Sequence, residues 1–399
     1  LKLPDNSSNS PSDEEIDIIV RCRLLRALSM DNALHHLRSM RQAVQYVFDS
    51  EKPDITITET IDSFIIDLFC KESEKRGIPC IGLVTVFVNG LSRISIRGEY
   101  NKCRDVADEE VNKVLSTLER VDYLPAFVAK DTKSFRYRVL RRWARNAIKI
   151  PYFSLKRWTS GDYFNYHYWS SIIICKSWFN WFPTINIGTP NWKSELDKTV
   201  KPVVYLPLQM FPEATIDYWC DDVSVIEYER VLLMTVKKFS GITFLVKEHP
   251  NVLGHRKSSF YKSLKSLNNV IVCPTEVPSN SLEPLYDAVL VWTGTVGFEA
   301  AIRGKALLAM SKPYYLMSDR DFFRIDQQST EKSILNYIEN FKALDNKKEL
   351  VKHVLEGCIK GKVQFDGTWR EDNSSHHEEA LKVAQSLKDY INEYVFPKR

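Results

Sequence analysis

The chain has 399 residues, of which 44% are hydrophobic, 12% aromatic and 27% charged, and its formal net charge is +4. This length predicts two or three domains, and the composition excludes collagen-like, low-complexity and disordered proteins. Because acidic and basic residues nearly balance, the charge gives no reason to expect a nucleic-acid partner.

The eight cysteines are scattered and form no CxxC pair. This spacing is typical of free thiols in a reducing cytoplasm rather than of a disulfide framework. The histidine pairs at 35–36 and 376–377 have no cysteine nearby, so no metal site is expected. The polar opening stretch has no secretory-signal pattern, and the apolar run at 172–175 is far shorter than the ~20 residues that cross a bilayer. We therefore expect a cytoplasmic protein.

Residues 1–200 are predicted to form one α/β domain. A helical apolar pattern runs from residue 16 to residue 48 with breaks, after a loose polar arm. A β-branched run at 54–58, an amphipathic stretch at 61–75 and an apolar run at 80–88 then predict strand, helix and strand. Such a βαβ unit implies a parallel sheet covered by helices.

Residues 134–183 differ in composition from the rest of this domain. They contain nine basic residues, one acidic residue and fifteen aromatic residues. One interpretation is a basic helical insertion that lies on an anionic membrane surface or receives an anionic or lipid-linked acceptor. The alternative is an ordinary helix pair whose aromatic residues fill the core and whose arginines are solvated.

A second and clearer alternating series covers residues 201–373, the second predicted domain. Strands are predicted at 203–208, 241–246, 270–272, 288–292 and 306–310, with helices between them and after residue 331. Two Rossmann-like domains place a ligand site in the cleft between them, outside the carboxyl ends of the strands. The remaining residues, 374–399, predict a helix that packs back across the domain boundary.

Polar residues follow the predicted strand at 241–246. Lys247 and His249 come directly after it, and Pro250 ends the strand and holds His249 extended at the sheet edge. A histidine in this position can hydrogen-bond to a phosphate or carry charge to it. The alternative is a histidine with a structural role.

The predicted strand at 288–292 is followed by a hydroxyl- and glycine-containing turn that opens a helix. Thr293 and Thr295 offer hydroxyl donors, and Gly294 allows a ligand to approach the backbone, so the turn predicts an anion cradle. It matches neither the dinucleotide GxGxxG pattern nor a P-loop. The alternative is a capped helix with a tight entry turn.

A glutamine and a glutamate follow the predicted strand at 203–208, beside the expected cleft. Gln209 and Glu213 are separated by a short loop that contains Pro212. A carboxylate there can act as a nucleophile, a base or a clamp on a hydroxyl group. The alternative is a glutamate that stabilises the start of a helix through the helix dipole.

These features occur in the order and spacing of a known family. The matching segments are Gln209-x-x-Pro212-Glu213, Lys247-x-His249-Pro250-Asn251-Val252-Leu253, Gly297-Phe298-Glu299-Ala300-Ala301-x-Arg303-Gly304-Lys305 and Pro313-Tyr314-Tyr315. On these segments the chain resembles the bacterial capsule polysaccharide biosynthesis proteins, which include the retaining Kdo transferases of capsule and O-antigen assembly. The first 200 residues match that family in general layout only.

The resemblance implies a GT-B glycosyltransferase, with two Rossmann-like domains and a cleft between them. The implied reaction transfers a Kdo-like or nonulosonic acid from its CMP-activated form to a growing capsule or O-antigen polysaccharide, with retention of configuration. No resident cofactor is implied, because the CMP-sugar is a substrate and any Mg²⁺ would be held mainly by the nucleotide.

The resemblance also assigns roles to individual residues. It implies that CMP is held by His249, Thr293 and Thr295. The other nucleotide-binding residues are expected to be Lys247, Pro250, Gly294 and Glu299, and Gln209 is expected to contact the substrate.

The family motif ends in an aspartate nucleophile at the position that Glu213 occupies here. Retention of configuration requires a carboxylate that forms a glycosyl-enzyme, which the acceptor hydroxyl then opens. That second step needs a base. Glu59, at the end of the first predicted strand, is the first candidate, and Asp62 and Glu99 are the alternatives.

Two other functions fit the same pattern. A GT-B-shaped epimerase or hydrolase would prefer UDP-sugars and would act without an acceptor. A scaffold protein would bind a sugar nucleotide without releasing CMP. The main hypothesis remains a transferase on the inner face of the bacterial inner membrane, close to a glycan or lipid-linked acceptor.

Overall fold

The computed structural model describes residues 10–120, 123, 125, 135–160, 187–199, 202–211, 213–249, 252, 256–341, 347–363 and 374–397. Within these residues the chain folds around two separate β-sheets, one of four strands and one of six. Helices accompany both sheets, so the predicted α/β class is confirmed.

The first sheet has the order β1-β2-β3-β10. Its strands are β1 (Thr56–Glu59), β2 (Cys80–Thr85), β3 (Leu91–Ile94) and β10 (Cys358–Lys360). β1 and β2 are parallel, as the βαβ pattern predicts, whereas β3 runs antiparallel to both β2 and β10. The sheet is therefore mixed, and it departs in this respect from a Rossmann-like sheet.

The first sheet and the helices of residues 10–160 are called the first unit here, and several of these helices begin where the sequence supplies caps. Ser12 and Glu15 form a reciprocal capping box at the start of the first helix, and Ser63 accepts a hydrogen bond from the backbone N–H of Ile66. The helices are α1 (Asp13–Arg21), α2 (Met30–Glu51), α3 (Phe64–Lys75), α4 (Asp108–Leu118) and α5 (Phe135–Ser160), with a 3-10 turn at Leu25–Ala27. α1, α2 and α3 share one apolar cluster, which includes Ile18 and Phe48.

The second sheet contains six parallel strands in the order β6-β5-β4-β7-β8-β9. The strands are β4 (Val203–Pro207), β5 (Thr243–Lys247), β6 (Val270–Cys273), β7 (Ala288–Val291), β8 (Ala306–Ala309) and β9 (Phe323–Arg324). Counted along the chain, this is the doubly wound order 3-2-1-4-5-6 of a Rossmann sheet. All residues of β5, β7 and β8 are buried, as parallel strands covered on both faces require.

Helices and helical turns accompany the second sheet, and together with it they are called the second unit. They are α6 (Trp192–Asp197), α7 (Ala214–Asp217), α8 (Tyr228–Lys238), α9 (Ser258–Lys265), α10 (Val296–Ile302), α11 (Glu331–Asn340) and α12 (Lys347–Glu356), with 3-10 turns at Val223–Val225 and Ser279–Leu285. After α12 the chain returns to the first sheet as β10. α13 (Ser374–Tyr390) and a π-helical turn at Ile391–Val395 then cover that sheet near Ile81 and Ile94.

The two sheets are joined by an aromatic contact centred on Trp219, which follows α7. The Trp219 Nε1–H donates to Thr60 Oγ1 at 3.0 Å, and its side chain lies against Gly98. The buried Arg93 of β3 lies between Trp219 and Tyr314, with its guanidinium 3.6 Å from the Tyr314 ring centre. This contact fixes α7 relative to the first sheet.

The structure also bears on metal binding, membrane spanning and cysteine pairing. Among the described residues, no group of three or more histidine, cysteine, aspartate or glutamate side chains is placed to hold a metal ion. None of the described helices has the length and apolar character needed to span a membrane. The seven described cysteines are free thiols. Residues 161–183 of the basic aromatic segment lie outside the described residues.

We expect Trp219→Ala to lower the free energy of unfolding by about 3 kcal/mol, because it leaves a cavity between the sheets. Trp219→Phe keeps a ring and loses the hydrogen bond to Thr60, so a loss of about 1 kcal/mol is expected. Urea denaturation measures both variants. An unchanged midpoint for Trp219→Ala would show that the sheets are held together elsewhere.

Candidate functional site

The carboxyl ends of β4 and β7 mark the place where the strand order of the second sheet reverses. β4 comes first in the chain and lies between β5 and β7, so the connections leave it in opposite directions. Ligands of open α/β sheets bind in the crevice that such a reversal creates. Gln209 follows β4 and Thr293 follows β7, so the structure brings the two predicted motifs together at this crevice.

Gln209 crosses the crevice with its side chain. With the amide oxygen facing the turn, it accepts hydrogen bonds from the backbone N–H groups of Trp292 (3.1 Å) and Gly294 (3.0 Å). The backbone N–H of Gln209 donates to the Tyr228 hydroxyl at 2.9 Å. A Cβ on Gly294 would lie 2.7 Å from the Gln209 amide, so only glycine allows this close approach. Gln209 is buried and joins the ends of β4 and β7.

Several hydrogen-bonding groups of the turn after β7 are already paired with other protein residues. The Thr293 hydroxyl donates to the carbonyl oxygen of Thr215 at 2.7 Å, and the N–H of Gly294 is taken by Gln209. The Tyr315 hydroxyl donates to the Gly294 carbonyl at 2.9 Å. The Thr295 hydroxyl makes no hydrogen bond to another residue in the described part of the chain, and Thr295 is partly exposed. Of the residues predicted to form the anion cradle, Thr295 retains the donor most accessible to a ligand.

Lys247 is a buried cation at the end of β5. Its backbone lies in register between Pro207 of β4 and Cys273 of β6, and only 5% of the residue is exposed. Burial lowers the pKa of Lys247, against the opposing charges of Glu248 and Glu276. No hydrogen bond or ion pair joins its ammonium group to another described residue. A buried amine in this position could pair with an anionic ligand when it is protonated.

His249 does not carry charge in this structure. Burial, followed by the charges of Lys247 and Arg256, lowers its pKa to about 4, so the ring is neutral at pH 7. Of the two roles predicted for it at a phosphate, hydrogen bonding and carrying charge, this environment favours hydrogen bonding. Pro250 lies outside the described residues.

A buried ion pair beside the site was not predicted from the sequence. Glu248 accepts hydrogen bonds from Arg256 Nε at 2.8 Å, from the Tyr261 hydroxyl and from the backbone N–H of His249 at 2.6 Å. Arg256 also donates to the backbone carbonyl of Gln209. The pair thus links the end of β5 to the end of β4. Glu248 could have indicated this pair in the sequence, because a glutamate directly after a buried strand needs a positively charged or hydrogen-bonding partner.

Glu213 lies at the N-cap of α7, on the side of the crevice that faces the first unit. Its carboxylate accepts a hydrogen bond from Thr215 Oγ1 at 2.7 Å. Burial raises the pKa of Glu213 to about 7; Asp62 and Asp217 add to this effect, and Thr215 and Arg23 oppose it. The group can therefore ionise near neutral pH, as a nucleophile or a base in a transfer reaction must.

The three candidate bases are placed differently. Glu59 ends β1 with an exposed side chain, and partial desolvation followed by the charge of Asp62 raises its pKa. Asp62 is near enough to raise the pKa of Glu213 as well. Glu99 accepts hydrogen bonds from its own turn, including the backbone N–H of Ile96 at 2.7 Å. The structure thus brings Asp62 towards Glu213 and assigns Glu99 to a turn.

Glu299 lies on α10 and faces the boundary with the first unit. It lines a small cavity together with Phe87, Tyr123 and Arg303. Burial raises its pKa, and Arg303 partly offsets this shift. Its predicted contact with the nucleotide would have to be made from this side of the helix.

Glu213→Gln is expected to raise the melting temperature at pH 8 and to have a smaller effect at pH 5. The pKa is raised from 4.5 to about 7 in the folded state, so the unfolded chain loses this proton first as pH rises. Stability is therefore lost between these two values, and a neutral glutamine avoids the loss. Melting curves from pH 5 to pH 8 measure the difference, with the exposed Glu339→Gln as control. Equal shifts at both pH values would contradict the perturbed pKa.

Comparisons with known proteins identify the part of the chain that carries this site. The sequence model of the family described as "Capsule polysaccharide biosynthesis protein" matches residues 184–319. No curated protein matches the chain.

The solved structures similar to this chain are distant. The β-Kdo 2,7-transferase of Thermosulfurimonas dismutans KpsC has 14% identity and a TM-score of 0.37, with 87% of this chain and 90% of that chain covered. The β-Kdo 2,4-transferase of the same KpsC has 12% identity and a TM-score of 0.34, with coverages of 74% and 78%. UDP-GlcNAc 2-epimerase of Methanocaldococcus jannaschii has 11% identity and a TM-score of 0.27, with both coverages 80%.

The family match covers the strands whose ends form the site, from β4 to β8. The resemblance found in the sequence motifs is thereby confirmed for this part of the chain. Residues 184–319, about a third of the chain, match the model of the capsule polysaccharide biosynthesis protein family.

Proposed function

We propose that the protein is a retaining glycosyltransferase that transfers a ulosonic acid from a CMP-sugar to a capsule or O-antigen polysaccharide. The observation that carries the proposal is the presence of two groups at the carboxyl ends of the strands of one doubly wound sheet. Lys247 is buried, and its ammonium group has no hydrogen bond or ion pair with the described residues. Glu213 is a carboxyl group of raised pKa. The ammonium group of Lys247 can bind a phosphate, and the carboxylate of Glu213 can attack the anomeric carbon of a sugar. The family match of residues 184–319 and the sequence motifs that resemble the family of the Kdo transferases support this assignment.

In the proposed first step, a Glu213 oxygen attacks the anomeric carbon of the donor. The bond from that carbon to the phosphate oxygen breaks, and CMP leaves with the bonding electrons. Lys247 and Thr295 stabilise the negative charge of the departing phosphate, so no acid is needed for departure. A raised pKa makes Glu213 a better nucleophile once it is ionised.

In the proposed second step, the acceptor hydroxyl attacks the same carbon and releases Glu213. A base removes the hydroxyl proton. Glu59 and Asp62 are both candidates for this role, and Asp62 is favoured because its charge acts on Glu213. Two displacements at one carbon restore the original configuration.

Helix α5 supports a placement at an anionic membrane surface. Five of its six exposed large apolar side chains, among those described, recur with helical spacing and form one row: Tyr137, Leu140, Ile148, Leu155 and Trp158. Ile148 is 76% exposed and Trp158 is 82% exposed. An exposed basic row lies beside them: Arg141, Arg145, Lys149 and Lys156. A helix with adjacent apolar and basic rows suits the interface of an anionic bilayer.

The donor assignment predicts that CMP raises the melting temperature and that UDP and GDP do not. A ligand at 100 times its Kd adds about 2.7 kcal/mol to stability. Lys247→Met is expected to abolish the shift, because it removes the cation expected at the phosphate, whereas the exposed Lys237→Met is the matched control. Thermal denaturation with equal millimolar nucleotide measures all three ligands.

Two outcomes would contradict this assignment. A shift with UDP alone would favour an epimerase or hydrolase that acts on UDP-sugars. A CMP shift without CMP release from any CMP-ulosonate and acceptor would favour a scaffold protein that binds nucleotide without catalysis.

The membrane assignment predicts that Arg141→Gln, Arg145→Gln and Lys149→Gln together weaken binding to phosphatidylglycerol vesicles. Each basic residue near an anionic surface contributes about 1 kcal/mol, so a loss of about a hundredfold is expected. The matched control replaces three exposed basic residues of the second unit, Arg230, Lys237 and Lys262, by glutamine. Vesicle sedimentation measures both proteins. Equal binding by the two variants would contradict the assignment.

A further inference from the structure

Three arginines contact α7, the helix that begins after Glu213: Arg21, the last residue of α1, and Arg23 and Arg26 from the segment that joins α1 to α2. Arg21 donates to the backbone carbonyls of Asp217 (3.1 Å) and Cys220 (3.0 Å) and so completes the end of the helix. Arg26 donates to Asp217 Oδ1 at 2.7 Å. Arg23, between them, has a less complete set of partners, because its Nε makes no hydrogen bond to the described residues.

Arg23 lies close enough to Glu213 for its charge to lower the pKa of that carboxyl group. The backbone N–H of Asp217 donates to the carbonyl of Glu213 at 2.9 Å, which places the two side chains one helical turn apart. Arg23 Nε is 3.5 Å from Asp217 Oδ2, and its terminal nitrogen pairs with Asp62 of the first unit. The guanidinium thus lies where the second unit, with Glu213, meets the first.

The guanidinium of Arg23 has unused hydrogen-bonding capacity. Its Nε is buried and makes no hydrogen bond to the described residues. The Asp217 carboxylate already has Arg26 as a close partner, and the Asp62 side chain is 49% exposed. Arg23 could therefore release Asp62 to water and accept another carboxylate without leaving a buried charge unpaired.

A ulosonic acid donor would be stabilised by a cation close to Glu213 and the anomeric carbon. Its anomeric carbon carries a carboxylate directly, so a nucleophile that attacks this carbon approaches a negatively charged group one bond away. Two carboxylates brought this close repel each other unless a cation lies beside them. A neutral hexose has no such group and gains nothing from the cation.

We propose that Arg23 binds the carboxylate of the donor sugar and thereby selects a ulosonic acid over a neutral sugar. This inference rests on the proposed transferase function and assigns its donor specificity to one residue. In exchanging Asp62 for the donor, Arg23 also frees the Asp62 carboxylate beside the reacting carbon.

The test compares the binding of CMP with the binding of CMP-Kdo by isothermal titration calorimetry. Every protein also carries Glu213→Gln, so that the donor is not consumed. Arg23→Gln is expected to weaken CMP-Kdo about tenfold or more, because it removes a charge-assisted pair, and to leave the Kd of CMP unchanged. Arg23→Lys retains the charge and should lose less. Arg26→Gln removes another guanidinium from the same Asp217 and is the matched control.

Each outcome has one meaning. Equal weakening of CMP and CMP-Kdo in the Arg23→Gln and Arg26→Gln proteins would assign Arg23 a structural role and overturn the inference. CMP-Kdo binding that Arg23→Gln leaves unchanged would overturn it as well, while the transferase proposal would stand. Failure of the Glu213→Gln protein to bind either CMP or CMP-Kdo would overturn both. Melting temperatures of all variants show whether each one is folded.

Discussion

The hydrogen bonds from the turn after β7 to the Gln209 side chain are the constraint on which the site depends. They close the crevice between β4 and β7 with protein atoms, at the point where a doubly wound sheet usually leaves space for a ligand. The buried pair of Glu248 and Arg256 extends the same constraint to β5, because Arg256 donates to the backbone of Gln209. Three strand ends are thereby held as one rigid edge, which is the support that a precisely placed reactive group needs.

Because of this constraint, the predicted residues fall into two groups: some hold the strand ends in place, and others are available to contact a substrate. Gln209, Thr293 and Gly294 hold one another and α7, and so position the residues around them. The groups with unused capacity lie beside this edge: the cation of Lys247 on one side, and the carboxyl group of Glu213 on the other, towards the first unit. If a sugar nucleotide bound with its phosphate at Lys247 and its anomeric carbon at Glu213, the bond to be broken would lie over the ends of these strands.

The second sheet could be predicted almost strand by strand, because its buried parallel strands are continuous apolar runs bounded by turn residues. The first sheet was only half predictable. β3 and β10 are short and pair over more than 260 residues of chain, and local periodicity contains no such information. In the site, motif spacing identified the residues but not their partners. The neutral state of His249 follows from burial and from two neighbouring cations, and the contact of Arg23 with α7 depends on how the units pack.

A crystal structure of the protein with CMP would show whether the carboxyl ends of β4, β5 and β7 bind this nucleotide. We expect CMP outside the carboxyl ends of these strands, with its phosphate within hydrogen-bonding distance of Lys247 Nζ or the Thr295 hydroxyl and with Glu213 on the side where the sugar would begin. CMP bound away from these strand ends, or bound there with Lys247 still unpaired and the phosphate directed into solvent, would contradict this expectation.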